Sequence, residues 1–314
     1  IPSPLAMTAA VVLTALMGAS LFGPMAGVGA AVLLMASVLV AAESRMATID
    51  SCLLLSVLVA QFALVRALTD REAGRATPAS TALLFWGAVG CGLMLKGPVV
   101  LIPSLATPLA LGWVERNLDL WRRLRPSWGW LVAAAVVLPW CIAIGVVSHG
   151  EFFRRAVGVN FLGKVASGQE AHGLPPGYHL LVFLIAFWPG SYFAASVLPQ
   201  AWRERRTLPV RYLLCWIVPH WVGFERIATK LPHYVLPTYP AIAILSAGLL
   251  AQSGVVWRNG PQTRWGRLLL GAYAVLWGFA GCALAAAGPL LLWTLERQFS
   301  VPALVLAGGV LPLV

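Results

Sequence analysis

The sequence predicts an all-α, polytopic bundle of transmembrane helices, and three observations carry that reading. Of 314 residues, 60% are hydrophobic and only 11% charged. A soluble domain averages roughly 45–50% apolar and about 25% charged, so the low charge leaves too little polar surface for water. The apolar residues also fall in long unbroken Leu/Ala/Val-rich runs, whereas a spanning β-barrel would alternate over ten-residue strands. Finally, several of the 14 Trp (Trp113, Trp128, Trp130, Trp188, Trp257, Trp265, Trp293) stand near run ends, where interfacial belts form.

A spanning helix needs roughly 20 apolar residues. The first run, 5–22, is divided from the second, 24–42, only at Gly23-Pro24. A short polar segment leads into 52–69, and an Arg-bearing segment into 79–95. Lys96-Gly97-Pro98 alone separates 79–95 from 98–114, so a tight helical hairpin with Lys96 at its tip is expected. A second Arg-rich segment precedes 129–147. A longer polar stretch, 148–177, closes on Pro175-Pro176 before 178–197. The runs 208–224, 234–252, 267–290 and 301–314 complete eleven stretches in a single transmembrane domain over 1–314. The opening Ile1-Pro2-Ser3-Pro4 has no initiator Met and no basic stretch, and the last run stops at Val314, so a fragment of a longer protein is expected.

Net charge is +11, and its placement excludes nucleic acid as a partner. Of the 22 Lys and Arg, 14 fall in the alternate loops 66–78, 115–128, 198–211 and 253–267. By the positive-inside rule these loops are cytoplasmic, and the other set faces outward. The five Cys are scattered through apolar runs with no metal-type spacing and read as small buried hydrophobes.

The outward set differs in kind, with most of the His and carboxylates: Glu43, Asp50, His149, Glu151, Glu170, His172, Glu225 and His233. Between the second and third runs, Arg45 and Asp50 are either a polar site or a capped helix start. Lys96 is placed either to hold a lipid phosphate as a point charge or to snorkel to the headgroups. In 148–177, Arg154-Arg155 precede Glu170 and His172, two apart. That pair suits a base with its orienter or two ligands of a divalent ion needing further ligands from elsewhere; the alternative is a solvated loop. Lys230, His233 and Tyr234 bunch where Pro232, Pro237 and Pro240 interrupt regular helix. Irregular backbone at membrane depth is tolerated where it lines protein or a wet cavity. A Pro-kinked helix with interfacial Lys and Tyr is the simpler reading. All four clusters fall on one side, which suits an anionic lipid headgroup.

These residues carry a resemblance. Arg45-Met46-Ala47-Thr48-Ile49-Asp50, Gly92-Leu93-Met94-Leu95-Lys96-Gly97, Leu138-Pro139-Trp140, Glu170-Ala171-His172 with Pro175-Pro176, and Lys230-Leu231-Pro232-His233-Tyr234-Val235-Leu236-Pro237 occur in that order over about residues 1–252. The series resembles the GT-C class of polyprenyl-phosphate-sugar glycosyltransferases, with protein O-mannosyltransferases and the lipid A aminoarabinose transferase as its relevant branch. The resemblance implies a sugar donor on polyprenyl phosphate and an acceptor that is lipid, glycan or protein. It further implies an inverting transfer at the outward, periplasmic face of a bacterial inner membrane. It gives Asp50 a role at the reacting centre. Arg45, Lys96, Lys230 and Tyr234 fall at the lipid phosphate, and Arg154, Arg155, Glu170, His172 and His233 in the covering loop site. No cofactor is required, and a divalent ion at Glu170 and His172 belongs to one branch. The family's acidic loop after its first span has no counterpart here, so the main catalytic base is expected outside this chain. The basic residue that often follows the loop His is replaced by Gly173-Leu174-Pro175-Pro176. A transporter or flippase for a lipid-linked or anionic substrate is the alternative. It would carry ionisable groups near the midplane and related halves.

Overall fold

The computed structural model describes residues 2–154, 175–227, 229–253 and 263–296. Among these the regular elements are helices. They are α1 (Pro2–Phe22), α2 (Pro24–Ala36), α3 (Val38–Arg45), α4 (Asp50–Glu72), α5 (Ala79–Lys96), α6 (Leu101–Glu115), α7 (Asp119–Arg123), α8 (Pro126–Val147), α9 (Tyr178–Ala186), α10 (Gly190–Arg203), α11 (Leu208–Arg226), α12 (Tyr239–Ser253) and α13 (Arg264–Glu296). Two 3-10 segments, Gly97–Val100 and Pro232–Thr238, stand before α6 and α12. Among the described residues, six helical runs are long and apolar enough to cross a membrane, or seven with the bent α2–α3 pair. The chain is an integral membrane protein.

α1 and α2 turn at Gly23, whose φ of 97° is open to glycine, and Pro24 starts the second helix. The two then pack closely because Gly27 presents only hydrogen to Ala15 and Ala19; a Cβ there would stand 2.4 Å from the Ala15 carbonyl oxygen. Without a hydrophobic drive between helices in lipid, such small-residue contacts are what hold them together. α12 packs against both α2 and α1, with Ala247 against Gly29 and Gly248 against Phe22. α4 and α12 are the most enclosed of the membrane-length helices, while α8 turns almost all of its surface outward.

Three polar side chains stitch α4, α6 and α11 at mid-depth. Gln61 Nε2 donates to the Pro103 carbonyl (2.7 Å) and to Thr107 Oγ1 (3.0 Å), and the Tyr212 hydroxyl donates to Gln61 Oε1 at 2.7 Å. All three residues are neutral, so no charge is left in the apolar interior.

The expected hairpin at Lys96 forms. Ala79–Glu115 is a single apolar helical run of 37 residues, which at 1.5 Å per residue would overshoot a bilayer. It instead reverses direction. Lys96 meets Asp50 at the start of α4, whereas Glu115 meets Arg71 at the end of α4. Gly92 leaves the room into which Val100 folds back.

Two runs are corrected. The stretch 24–42 is not one straight span, because α2 and α3 meet at a 63° bend. Ser37 makes the break: its backbone is extended, its Oγ accepts from Val40 N (3.4 Å), and Val38 N donates to the Trp188 carbonyl at 3.2 Å. The stretch 178–197 is likewise two helices, parted at residues 187–189. The run 301–314 lies outside the described residues.

The charges separate by end. Glu115 joins Arg71 (2.7 Å) and Arg211 (2.8 Å), and Arg123 donates to the Arg75 carbonyl at 2.7 Å. The Arg-rich segments 66–78, 115–128 and the start of α11 therefore share one end of the bundle. Asp50 and Lys96 share the other.

Candidate active site

The 63° bend decides which residues meet at the second end. It swings α3 across the top of α4, so that Glu43 is carried inward to 2% exposure. Its carboxylate is not left bare: Thr48 Oγ1 donates to Glu43 Oε2 at 2.7 Å, and Ser51 Oγ donates to the Glu43 carbonyl at 3.1 Å. Asp50 opens α4, where a carboxylate suits the positive end of the helix dipole.

Lys96 closes α5 and reaches back across the hairpin. Its Nζ donates to Asp50 Oδ1 at 2.5 Å and lies 5.8 Å from the centroid of the Tyr234 ring, a cation–π distance. His233 completes the set: Nδ1 stands 3.8 Å from Glu43 Oε1 and Nε2 4.0 Å from Asp50 Oδ2. The imidazole thus sits between two carboxylates, close enough to feel both charges and too far for a hydrogen bond to either. Lys96 donates to Asp50 Oδ1, while Oδ2 faces His233 and takes part in no hydrogen bond among the described residues.

The segments that bear Glu43, Asp50, Lys96 and His233-Tyr234 meet at this end of the bundle, while His172, expected beside Asp50, Lys96 and Tyr234, lies outside the described residues. Arg45 stands exposed at the same end with no ion-pair or hydrogen-bond partner among the described residues, as does Arg226.

Lys230 has a different position from its neighbours in sequence. It is 2% exposed, and its Nζ donates to the carbonyls of Glu225 (2.9 Å) and Ile227 (2.6 Å). The ammonium satisfies the free carbonyls at the C-terminal end of α11, a favourable place for a cation. Arg154 is exposed and paired with Glu151 at 2.7 Å. Arg155, Glu170 and His172 lie outside the described residues, and with them the two ligands named for a divalent ion. Among the described residues no three His, Cys, Asp or Glu side chains gather as metal ligands would.

Two features escaped the choice of site residues. Glu43 was legible as a carboxylate in an outward segment, but its inward turn depends on the α2–α3 bend. Glu225 and His179 form a further contact, with His179 Nδ1 3.4 Å from Glu225 Oε1; nothing in their spacing of 46 residues announces it.

Beside the Asp50–Lys96 pair, an apolar groove of about 480 Å³ runs between α4 and α5. Cys52, Leu55 and Val59 line one wall; Leu84, Cys91 and Leu95 line the other. Cys52 and Leu95 lie within two residues of Asp50 and Lys96 in the chain, so the ion pair joins the two helices near one end of the groove they wall, without lining it.

The family model described as dolichyl-phosphate-mannose-protein mannosyltransferase matches residues 3–150, which contain Glu43, Asp50 and Lys96. An undecaprenyl phosphate-α-4-amino-4-deoxy-L-arabinose arabinosyl transferase of Erwinia tasmaniensis is 29% identical over 285 residues, covering 78% of this chain and 50% of the relative. The enzyme of the same description from Pseudomonas aeruginosa is 30% identical over 168 residues, covering 52% of this chain and 30% of the relative. Among solved structures, ArnT from Cupriavidus metallidurans bound to undecaprenyl phosphate superposes with a TM-score of 0.70 at 20% identity. It covers 99% of this chain and 55% of that one. The chain spans about half the length of the Erwinia relative. The architecture is that of the GT-C class of membrane proteins. Within that class, the chain is similar to polyprenyl-phosphate-sugar glycosyltransferases in sequence and shares the fold of the solved ArnT structures.

Proposed function

We propose that this protein transfers a sugar from a polyprenyl-phosphate donor to a lipid, glycan or protein acceptor, with inversion, at the periplasmic face of a bacterial inner membrane. One observation carries the reading: a lysine–aspartate pair joins the ends of α4 and α5, the two helices that wall an apolar groove. A polyprenyl phosphate has that same polarity, with an anionic head on a long hydrocarbon tail. Part of the tail would lie along the groove between α4 and α5, with the rest in the bilayer, and the phosphate exchanges with Asp50 for the Lys96 ammonium. Glu43 and Asp50 together outweigh Lys96 while His233 is neutral, so the phosphate needs further cations. Arg45 and Arg226, exposed and unpaired at this end, meet that need. The Arg-rich opposite end then faces the cytoplasm, in keeping with the positive-inside rule.

In the transfer, the acceptor oxygen bonds to the anomeric carbon as the bond to the phosphate oxygen breaks, and the phosphate leaves with the bonding pair. Lys96 stabilises the charge gathering on that phosphate. The acceptor proton passes to a carboxylate, for which Asp50 Oδ2 is available. Phosphate leaves more readily than an alkoxide, so the site needs no strong general acid. Lys230, held by carbonyls of its own turn, shapes the wall of the site rather than meeting the phosphate. A divalent ion at Glu170 and His172 remains part of this proposal, and no step is routed through it. The mid-depth polar groups Gln61, Thr107 and Tyr212 are neutral, which weighs against the transporter alternative.

The protein reconstituted in proteoliposomes with an undecaprenyl-phosphate-linked sugar is expected to transfer it. Asp50→Asn and Lys96→Met should each reduce transfer by at least about tenfold, a loss of more than about 1.4 kcal/mol of transition-state stabilisation. Full transfer by both variants would remove these residues from the reaction.

A further inference from the structure

Glu225, at the end of α11, touches neither Asp50 nor Lys96, yet it ties together the segments that carry the site. α9 begins at Gly177 (φ +99°) with no capping side chain from its own segment. Glu225 caps it from α11: Oε2 accepts from Gly177 N at 3.0 Å, and Oε1 accepts from His179 N at 3.1 Å. Two of the helix's unpaired amides are thereby satisfied by a carboxylate at the positive end of the helix.

The same residue works in the other direction through its backbone. Its carbonyl accepts from Lys230 Nζ, whose second bond goes to the Ile227 carbonyl, so the turn after α11 is closed upon itself. His179, its side chain fully buried, lies between the two parts. Its Nδ1 is 3.4 Å from Glu225 Oε1, and its Nε2 is 3.2 Å from the Leu231 carbonyl. That carbonyl also accepts from Tyr234 N at 3.1 Å. One unbroken path of contacts therefore runs from Glu225 through His179 and Leu231 to Tyr234, whose ring lies beneath Lys96. His233, next in the chain, faces Glu43 and Asp50.

We propose that Glu225 is a positioning residue, clamping the start of α9 to the 225–231 turn and so fixing His233 and Tyr234 against Lys96. The effect on turnover rests on the donor-site reading above; the effect on structure does not.

The test is hydrogen exchange in the purified protein, read at the amides of Gly177, His179 and Tyr234, alongside the KM for the polyprenyl-phosphate donor. Glu225→Ala is expected to speed exchange at all three amides by about tenfold or more, because charge-assisted bonds are lost. It should also raise KM by about tenfold with kcat changed much less. Glu225→Gln, which keeps an acceptor oxygen, should restore most of both. Glu72→Gln, on an exposed side chain at the Arg-rich end, should change neither. Faster exchange at Gly177 and His179 with Tyr234 unchanged would overturn the coupling, as would an unchanged KM in Glu225→Ala. If the wild-type protein shows no transfer, the donor reading fails, and exchange at Tyr234 alone decides the clamp.

Discussion

Lys96 and Asp50, 46 residues apart and on different helices, share a hydrogen bond of 2.5 Å at the end of the bundle remote from its arginines. The pair closes the α5–α6 hairpin onto the start of α4. Each side chain is partly open, at 25% for Lys96 and 11% for Asp50, so the ions are neither stranded in hydrocarbon nor fully screened by water.

That half-buried setting makes a thermodynamic prediction. Asp50→Asn and Lys96→Met are each expected to destabilise the protein by about 1–3 kcal/mol, below the cost of breaking a fully buried pair. The double variant should lose clearly less than the two single losses combined, since neither charge is left alone. Thermal unfolding in detergent micelles measures the three values. Simple additivity would mean that the ion pair contributes nothing.

Gln61→Leu removes the centre of the α4–α6–α11 contact. The Tyr212 hydroxyl retains the Gln61 backbone carbonyl at 3.3 Å, and Thr107 retains the Pro103 carbonyl at 2.7 Å. With these fallbacks the expected cost is about 1 kcal/mol, in line with the modest net value of interhelical hydrogen bonds in membranes. A fall in unfolding midpoint without loss of expression is the expected result; a collapse of folding would assign the network a larger share.

Gly87 lines the groove and has nothing within 4 Å of where a Cβ would stand. The Cβ of Gly87→Phe therefore meets no atom, and its ring enters space proposed for the lipid tail. Binding of a long-chain polyprenyl phosphate should weaken by about tenfold, while unfolding free energy stays within about 0.5 kcal/mol of wild type. Gly271→Phe, on α13 with equally open surroundings, is the matched control and should bind normally. Equal binding by both would move the tail elsewhere.

Much of this was legible in the sequence because lipid imposes simple rules. Continuous apolar runs announced the helices, and the excess of Arg in alternate loops announced which segments share an end. Lys96-Gly97-Pro98 announced the hairpin, since a tip that short leaves no other path. The α2–α3 bend was not legible. Ser37 is neither Gly nor Pro, and the break depends on the distant carbonyl of Trp188, which accepts from Val38 N. Glu43 was therefore seen as a polar residue of a loop and not as a buried neighbour of His233. Lys230 shows the converse limit. A lysine beside His233 and Tyr234 shares their stretch of sequence, but the turn after α11 closes around it and sends its ammonium to its own backbone. Spacing along the chain identified the neighbourhood; which side chains face inward was fixed by contacts between distant segments.

If Lys96 holds the donor's head, the protein selects for a phosphate on the polyprenyl chain. Equilibrium binding of undecaprenyl phosphate and of undecaprenol, the same chain without phosphate, tests it most directly in the wild-type protein and in Lys96→Met. The wild type is expected to prefer the phosphate by about tenfold or more, and Lys96→Met to lose most of this preference while keeping its affinity for the alcohol. Equal affinity of the wild type for phosphate and alcohol, or an undiminished preference in Lys96→Met, would contradict it.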